Sequence, residues 1–242
     1  MNALHPAPVS AARPTYSLVV FDWDGTLMDS TPTIVNAIQA SCRDLGLPVP
    51  PDAAASWVIG LGLTEALATA IPTLQPDQVP KLLERYRFHY LTKDPELRLF
   101  PGIQELLDQL RTLGVRMAVA TGKSRLGLER MLETTGLRPY FTATRCADET
   151  FSKPHPGMLL ELMEETGVIP EEVIMIGDTS HDLNMACNAG VAGLGVAYGA
   201  HPISELLPCR PEAVVHSVPE LHAWLVGHVI GGPITGTPAG AA

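Results

Sequence analysis

The sequence predicts an α/β fold: a parallel sheet with helices on both faces, broken once by an all-helical insertion. Three observations predict it. Short apolar runs, each bounded by turn residues or acids, alternate with stretches of helical periodicity, the β-α-β-α rhythm of a parallel sheet. About ninety residues separate the first such run from the second, far more than a crossover needs. Inside that gap the apolar spacing is helical, and proline-rich breaks divide it.

The elements follow in order. Residues 1–15 are rich in Ala and Pro and read as a loose arm without the long apolar core of a signal peptide. A first strand is predicted at 17–22. The insertion, 30–94, should hold helices over Thr33–Leu45, Leu63–Thr69 and Asp77–Leu91, with breaks at 48–51 and 71–76. Ser30 or Thr31 can cap the first of these, with Pro32 in its first turn. Helices at 102–113, 124–135, 156–166 and 181–188 then alternate with strands at 115–120, 141–144, 173–177, 193–198 and 213–216. The tail 227–242, mostly Gly, Pro, Ala and Thr, reads as disordered. The core is therefore expected from 16–29 together with 95–226.

Composition narrows the function. At 242 residues and 46% hydrophobic, the chain can build one large core with a smaller insert. A net charge of -10 excludes the basic stripe of a nucleic-acid binder but not a small anionic ligand, since one Lys or a metal can override the net field. No apolar stretch is long enough to span a membrane. Cys42, Cys146, Cys187 and Cys209 are scattered without a CxxC, as expected of a reduced, cytoplasmic protein. Monomer and homodimer are both compatible with this composition.

The most informative residues are Phe21-Asp22-Trp23-Asp24-Gly25-Thr26-Leu27-Met28-Asp29-Ser30. At a strand tip, alternate side chains share a face, so Asp22 and Asp24 can point the same way. Two carboxylates that close repel by about 4 kcal/mol at an effective dielectric near 20. A divalent cation would offset that. Three later pieces fit the same chemistry. Val119-Ala120-Thr121-Gly122-Lys123-Ser124 is an apolar strand ending in a hydroxyl and a glycine. Ser152-Lys153-Pro154-His155-Pro156 fixes a lysine on a non-helical segment before a helix. Ile174-Met175-Ile176-Gly177-Asp178-Thr179-Ser180-His181-Asp182 ends a strand in one acid and carries another four residues on.

In this order and context the four pieces resemble the haloacid-dehalogenase-like hydrolase superfamily, and the helical insertion resembles that of its phosphoglycolate-phosphatase-like branch. The resemblance covers roughly 17–226 and implies a Rossmann-like core with a cap. It implies that Asp22 is a nucleophile forming an aspartyl-phosphate, and that Asp24 is the general acid, then the base. It further implies that Thr121 and the Gly122 amide hold phosphoryl oxygens and that Lys153 neutralises them. Mg²⁺ would be held by Asp178, the Asp22 carboxylate and the Asp24 main-chain carbonyl, and Asp182 would support the metal or Lys153. Gly60-Leu61-Gly62-Leu63 resembles the loop that the cap lowers onto substrate. Asp24 separates phosphoryl transfer from the dehalogenases and phosphonatases of the superfamily, which lack that acid.

The expected activity is hydrolysis of a small organic phosphomonoester, with phosphoglycolate indicated first. A sugar-phosphate mutase, a pyrophosphatase or a nucleotidase are alternatives, and a non-catalytic phosphate- and Mg²⁺-binding protein is the reading from another class. Lys123 and Arg125 could meet a substrate anion but suit a solvated helix face better. His155 and His181 are expected to be non-catalytic, and Arg85, Arg87 and His89 to be exposed helix residues.

Overall fold

Six parallel strands form the sheet, in the order β3-β2-β1-β4-β5-β6, as seen in a computed structural model that describes residues 16–229. The strands are β1 (Leu18–Phe21), β2 (Arg116–Thr121), β3 (Ala143–Cys146), β4 (Val173–Gly177), β5 (Ala192–Val196) and β6 (Ala213–Val215). The short central strands read as continuous apolar runs because both sheet faces are covered. Val19, Phe21, Met117, Val119, Ile174 and Ile176 face one core. Leu18, Val20, Ala118, Ala120, Val173 and Met175 alternate onto the other.

Helices fill both layers. On the first face lie α5 (Ile103–Thr112), α6 (Arg125–Thr135) and α10 (Val218–Val226), through residues such as Leu106, Leu132 and Leu221. The second face takes α7 (Gly157–Thr166) and α8 (Ser180–Ala189), through Leu159, Leu162 and Met185. A short α9 (Ile203–Leu206) precedes β6. Between β1 and α5 the insertion contributes α1 (Thr31–Asp44), α2 (Asp52–Trp57), α3 (Leu63–Ala70) and α4 (Val79–Lys93). These close on a separate cluster that includes Ile34, Ile38, Leu67, Leu82 and Tyr90. No helix among the described residues is long and apolar enough to cross a membrane.

Several details differ from the sequence expectations. Helix α2 occupies 52–57, a stretch assigned to no element, because its Ala-rich six residues are too short for a periodic pattern. Helix α10 was likewise not anticipated, although Ser217 caps it through the Glu220 amide at 3.3 Å. Strand β3 starts two residues later than expected, and β5 ends two residues sooner. The Ser30 hydroxyl does not cap α1: it donates to Asp24 instead. The tail drawn from 227 starts inside an ordered contact. The Tyr16 amide donates to His228 O at 2.8 Å, and Tyr16 forms a parallel bridge with Val229. The arm 1–15 and the remaining tail, 230–242, lie outside the described residues.

Strand β1 sits between β2 and β4, with Leu18 in register with both Arg116 and Val173. Chain order therefore runs outward on one side of β1 and then jumps to the other. Such a switch point opens a crevice beyond the carboxyl ends of the strands, where open α/β sheets bind ligands.

Candidate active site

Each strand that borders the crevice ends in a polar residue. Asp22 follows β1, and its amide extends the ladder by donating to Ile176 O at 2.9 Å. Thr121 closes β2, and Asp178 follows β4. All three are buried. Two tight turns seat the acids. Gly25 has φ of 83° and packs so closely on Asp178 that a Cβ there would lie 2.2 Å from Oδ2. Gly199 approaches Asp178 from the opposite side, where a Cβ would stand 2.3 Å from the aspartate Cβ.

The Lys153 ammonium is fully buried and bridges two acids, 2.5 Å from Asp22 Oδ1 and 2.6 Å from Asp182 Oδ1. Burial alone would lower its pKa, but Asp182 and Asp22 outweigh that and hold it above the usual lysine value. Asp182 uses its other oxygen to accept from the amide and hydroxyl of Thr179, at 3.1 and 2.6 Å, closing a capping box at the start of α8. One side chain thus serves both as the helix cap and as a partner of Lys153. Asp178 accepts from Thr26 Oγ1 at 2.8 Å and from the Ala200 amide at 2.7 Å.

One oxygen is left over. Asp22 Oδ2 is buried and has no hydrogen-bond partner. Carboxylate oxygens of Asp22, Asp178 and Asp182 all lie within 4.8 Å of one another. Three carboxylates share a single ammonium, which leaves two formal negative charges uncompensated in a buried site. Burial accordingly pushes Asp22 well above the ordinary carboxylate range and Asp178 up to about 7. Such a cluster must take up either protons or a cation. The all-oxygen donor set fits a hard divalent ion. Asp182 is tied to the Lys153 ammonium through one oxygen and to Thr179 through the other. Asp178 accepts only from neutral donors, Thr26 and the Ala200 amide, and Asp22 keeps one oxygen with no partner, so these two carboxylates are the better placed to ligate.

Asp24 lies beside this cluster at 7% exposure. Its Oδ1 accepts from Ser30 Oγ at 2.7 Å and stands 3.0 Å from Lys123 Nζ. Lys123 also donates to Tyr90 Oη on α4 at 2.8 Å. The solvated helix face expected for Lys123 is therefore wrong: it precedes α6 and is nearly buried, joining the sheet tip to the insertion. Arg125 turns the other way. Its guanidinium pairs with Glu129 and Glu149 and donates to Thr144, which makes it part of a surface network and not a substrate ligand.

The loop Gly60–Leu61 lies directly over β2. A Cβ on Gly122 would come within 2.5 Å of Leu61 O and 2.6 Å of Gly60 O. The neighbouring Gly62 amide donates to Ser152 Oγ at 2.8 Å. Thr121 Oγ1 accepts from the Lys123 amide at 3.2 Å. His181 and His201 each place Nε2 2.8 Å from Trp57 O at the end of α2. A carbonyl only accepts, so both rings carry their proton on Nε2. His181 thus joins the insertion to the core, while His155 accepts from the Gly157 amide and lies against the Phe151 ring. Arg85 and His89 pair with Asp44 within the insertion.

The Thr179-x-x-Asp182 spacing is that of a capping box, and the structure has one. Sequence reasoning did not single out Tyr90, Trp57 or His201, which meet the site from distant parts of the chain and carry no local signal.

Comparison with known proteins agrees with this geometry. The family model described as haloacid dehalogenase-like hydrolase matches residues 19–196. The chain belongs to that family. Among curated relatives it is 37% identical to "Probable phosphatase IndB" of Dickeya dadantii, over 84% of this chain and 91% of that protein. It is 35% identical to the phosphoglycolate phosphatase of Agrobacterium fabrum, over 84% and 90%. Among solved structures, a "predicted phosphatase" from Clostridium acetobutylicum superposes with a TM-score of 0.78 at 27% identity, covering 88% of this chain and 99% of that one.

Proposed function

We propose that this chain, a phosphatase of the haloacid dehalogenase-like family, hydrolyses a small organic phosphomonoester with Mg²⁺ through an aspartyl-phosphate on Asp22. The observation that carries the reading is the unpartnered, buried Asp22 Oδ2, held beside Lys153 and Asp178 at the switch point of the sheet. An oxygen with no hydrogen bond is free to attack, and its carboxylate is oriented by Lys153 through the other oxygen.

In the first half-reaction, Asp22 Oδ2 bonds to phosphorus while the bond from phosphorus to the alcohol oxygen breaks. Asp24 gives that oxygen a proton, so a neutral alcohol leaves. In the second, a water attacks phosphorus, Asp24 takes its proton, and the acyl-phosphate bond breaks to return Asp22 and inorganic phosphate. Lys153 offsets charge on the transferring phosphoryl group, and the Thr121 hydroxyl and Gly122 amide orient its oxygens. Mg²⁺, held by Asp22, Asp178 and the Asp24 carbonyl, would screen the dianion from the attacking carboxylate. Ser30 and Lys123 hold Asp24 in place. Helices α1–α4 act as the cap that excludes water from the acyl-phosphate.

The relatives named phosphoglycolate phosphatase make phosphoglycolate the first substrate to assay. Four free cysteines support a reducing, cytoplasmic setting. The test is phosphate release from a panel of phosphomonoesters with Mg²⁺, wild type beside Asp22→Asn. The variant should lose at least about a thousandfold in rate while keeping its fold. Full activity in Asp22→Asn would remove the nucleophile from this scheme, and a folded wild type that turns over no panel member would remove the activity.

A further inference from the structure

The insertion stands down on the core in this structure. Gly60 and Leu61 touch Gly122, Gly62 is bonded to Ser152, and Lys123 reaches Tyr90. Even so, a cavity of about 550 Å³ persists between the cap and the sheet tips. It runs from Asp24, Gly122 and Lys123, where the phosphoryl group would sit, up between α1, α3 and α4. This is the space left for the alcohol half of the substrate. Its size falls within the roughly 300–1,000 Å³ that holds drug-sized ligands, whereas a two-carbon glycolate would leave most of it to water.

The lining chemistry points the same way. Ile34, Ile38, Ile59, Leu83, Tyr86 and Leu126 supply an apolar wall. Burial pushes the Tyr86 phenol above its usual pKa, so it stays neutral. The cations at the wall are largely committed: Lys123 to Asp24 at 3.0 Å, and Arg130 to Asp94 at 2.8 Å. Arg87 is exposed at the rim, where water and salt screen it. Glu65 and Asp148 also border the cavity and would repel a carboxylate.

We propose that the substrate is a phosphomonoester whose leaving group is an uncharged, largely apolar alcohol of ring size, not a small carboxylate. This rests on the phosphomonoesterase reading of the same site. Ring burial against the isoleucines and Tyr86 supplies the selectivity, because apolar area removed from water is the main contact this wall offers. Phosphate and metal contacts are common to every substrate, so they do not discriminate.

The experiment compares kcat/KM of the full chain, with Mg²⁺, for ethyl phosphate, phosphoglycolate, benzyl phosphate and 2-phenylethyl phosphate. All four release a primary alcohol, so differences in intrinsic leaving ability are small. The phenylethyl ester should exceed the ethyl ester by about ten- to a hundredfold, mainly through KM, and phosphoglycolate should not exceed ethyl phosphate. Leu126→Glu places a charge on the wall at a position that is 77% exposed and costs the fold little. It should lower the phenylethyl-to-ethyl ratio by about tenfold. A preference for phosphoglycolate, equal kcat/KM across the series, or a ratio that Leu126→Glu leaves unmoved would overturn the substrate class while leaving the phosphatase reading intact. No turnover of any of the four by folded protein would sink the phosphatase reading and this inference with it.

Discussion

Replacing Lys153 by Met tests the electrostatic logic of the site, because one ammonium bridges two acids of a buried cluster of three. Lys153 is fully buried, 2.5 Å from Asp22 and 2.6 Å from Asp182. Methionine keeps much of the volume and removes the charge. Removing one partner of a buried pair costs about 3–5 kcal/mol, since the remaining charge stays buried without compensation. For a chain of this size that corresponds to a melting temperature lower by roughly 6–20 °C. The assay is thermal unfolding of wild type, Lys153→Met, Asp182→Asn and the double variant, each with and without Mg²⁺. Asp182→Asn removes one of the charges that Lys153 offsets, so the double variant should be more stable than the summed single effects by about 1–3 kcal/mol. Mg²⁺ should raise the melting temperature of Lys153→Met more than that of wild type, because the cluster then carries one more uncompensated charge. A Lys153→Met protein that melts within about 2 °C of wild type, or strict additivity in the double variant, would refute this account of the cluster.

Three further outcomes are expected. Asp24→Asn should lower kcat by about 10²–10⁴-fold for an alkyl phosphate but much less for 4-nitrophenyl phosphate in the first half-reaction, since that leaving group needs no proton; equal losses in single-turnover measurements would remove the acid role. Burial pushes Asp178 up to about 7 in the metal-free site, so below that pH a cation must displace a proton. Asp22 is raised as well, so apparent Mg²⁺ affinity by calorimetry should weaken steadily as pH falls from 8 to 6, and constant affinity over that range would contradict this. His181 and His201 are held below the ordinary value of 6.5 by burial. The unfolded chain therefore takes up protons first, and their contribution to stability is whole above pH 6.5 and lost as pH falls through it toward the lowered folded values. His181→Gln and His201→Gln should flatten the fall of melting temperature between pH 8 and 5, and an unchanged slope would exclude both rings.

By itself the sequence determined where the chemistry starts. Each strand of a parallel sheet ends at the same edge, so an apolar run followed by Asp22, Thr121 or Asp178 already puts those side chains near a common crevice. Lys153 and Asp182 were legible because they sit at fixed offsets from proline and from a strand end, and the long gap after β1 announced the helical insertion. Helix α2 was not legible, since six Ala-rich residues carry no periodic signal.

Tertiary structure alone decided how these residues share their hydrogen bonds. It split Asp182 between Thr179 and Lys153, left Asp22 Oδ2 without a partner, and gave Ser30 to Asp24 in place of the α1 terminus. It also sent two neighbouring cations in opposite directions, Lys123 inward to Asp24 and Tyr90, and Arg125 outward to Glu129 and Glu149. The physical reason is range. Helix and strand patterns are local and repeat every few residues, so a sequence displays them. The partner of a buried charge is chosen by desolvation and by whichever opposite charge the fold brings within about 3 Å. Tyr90 lies 33 positions from Lys123, and Asp22 lies 131 from Lys153. Those pairings exist only once the insertion and the sheet have packed together.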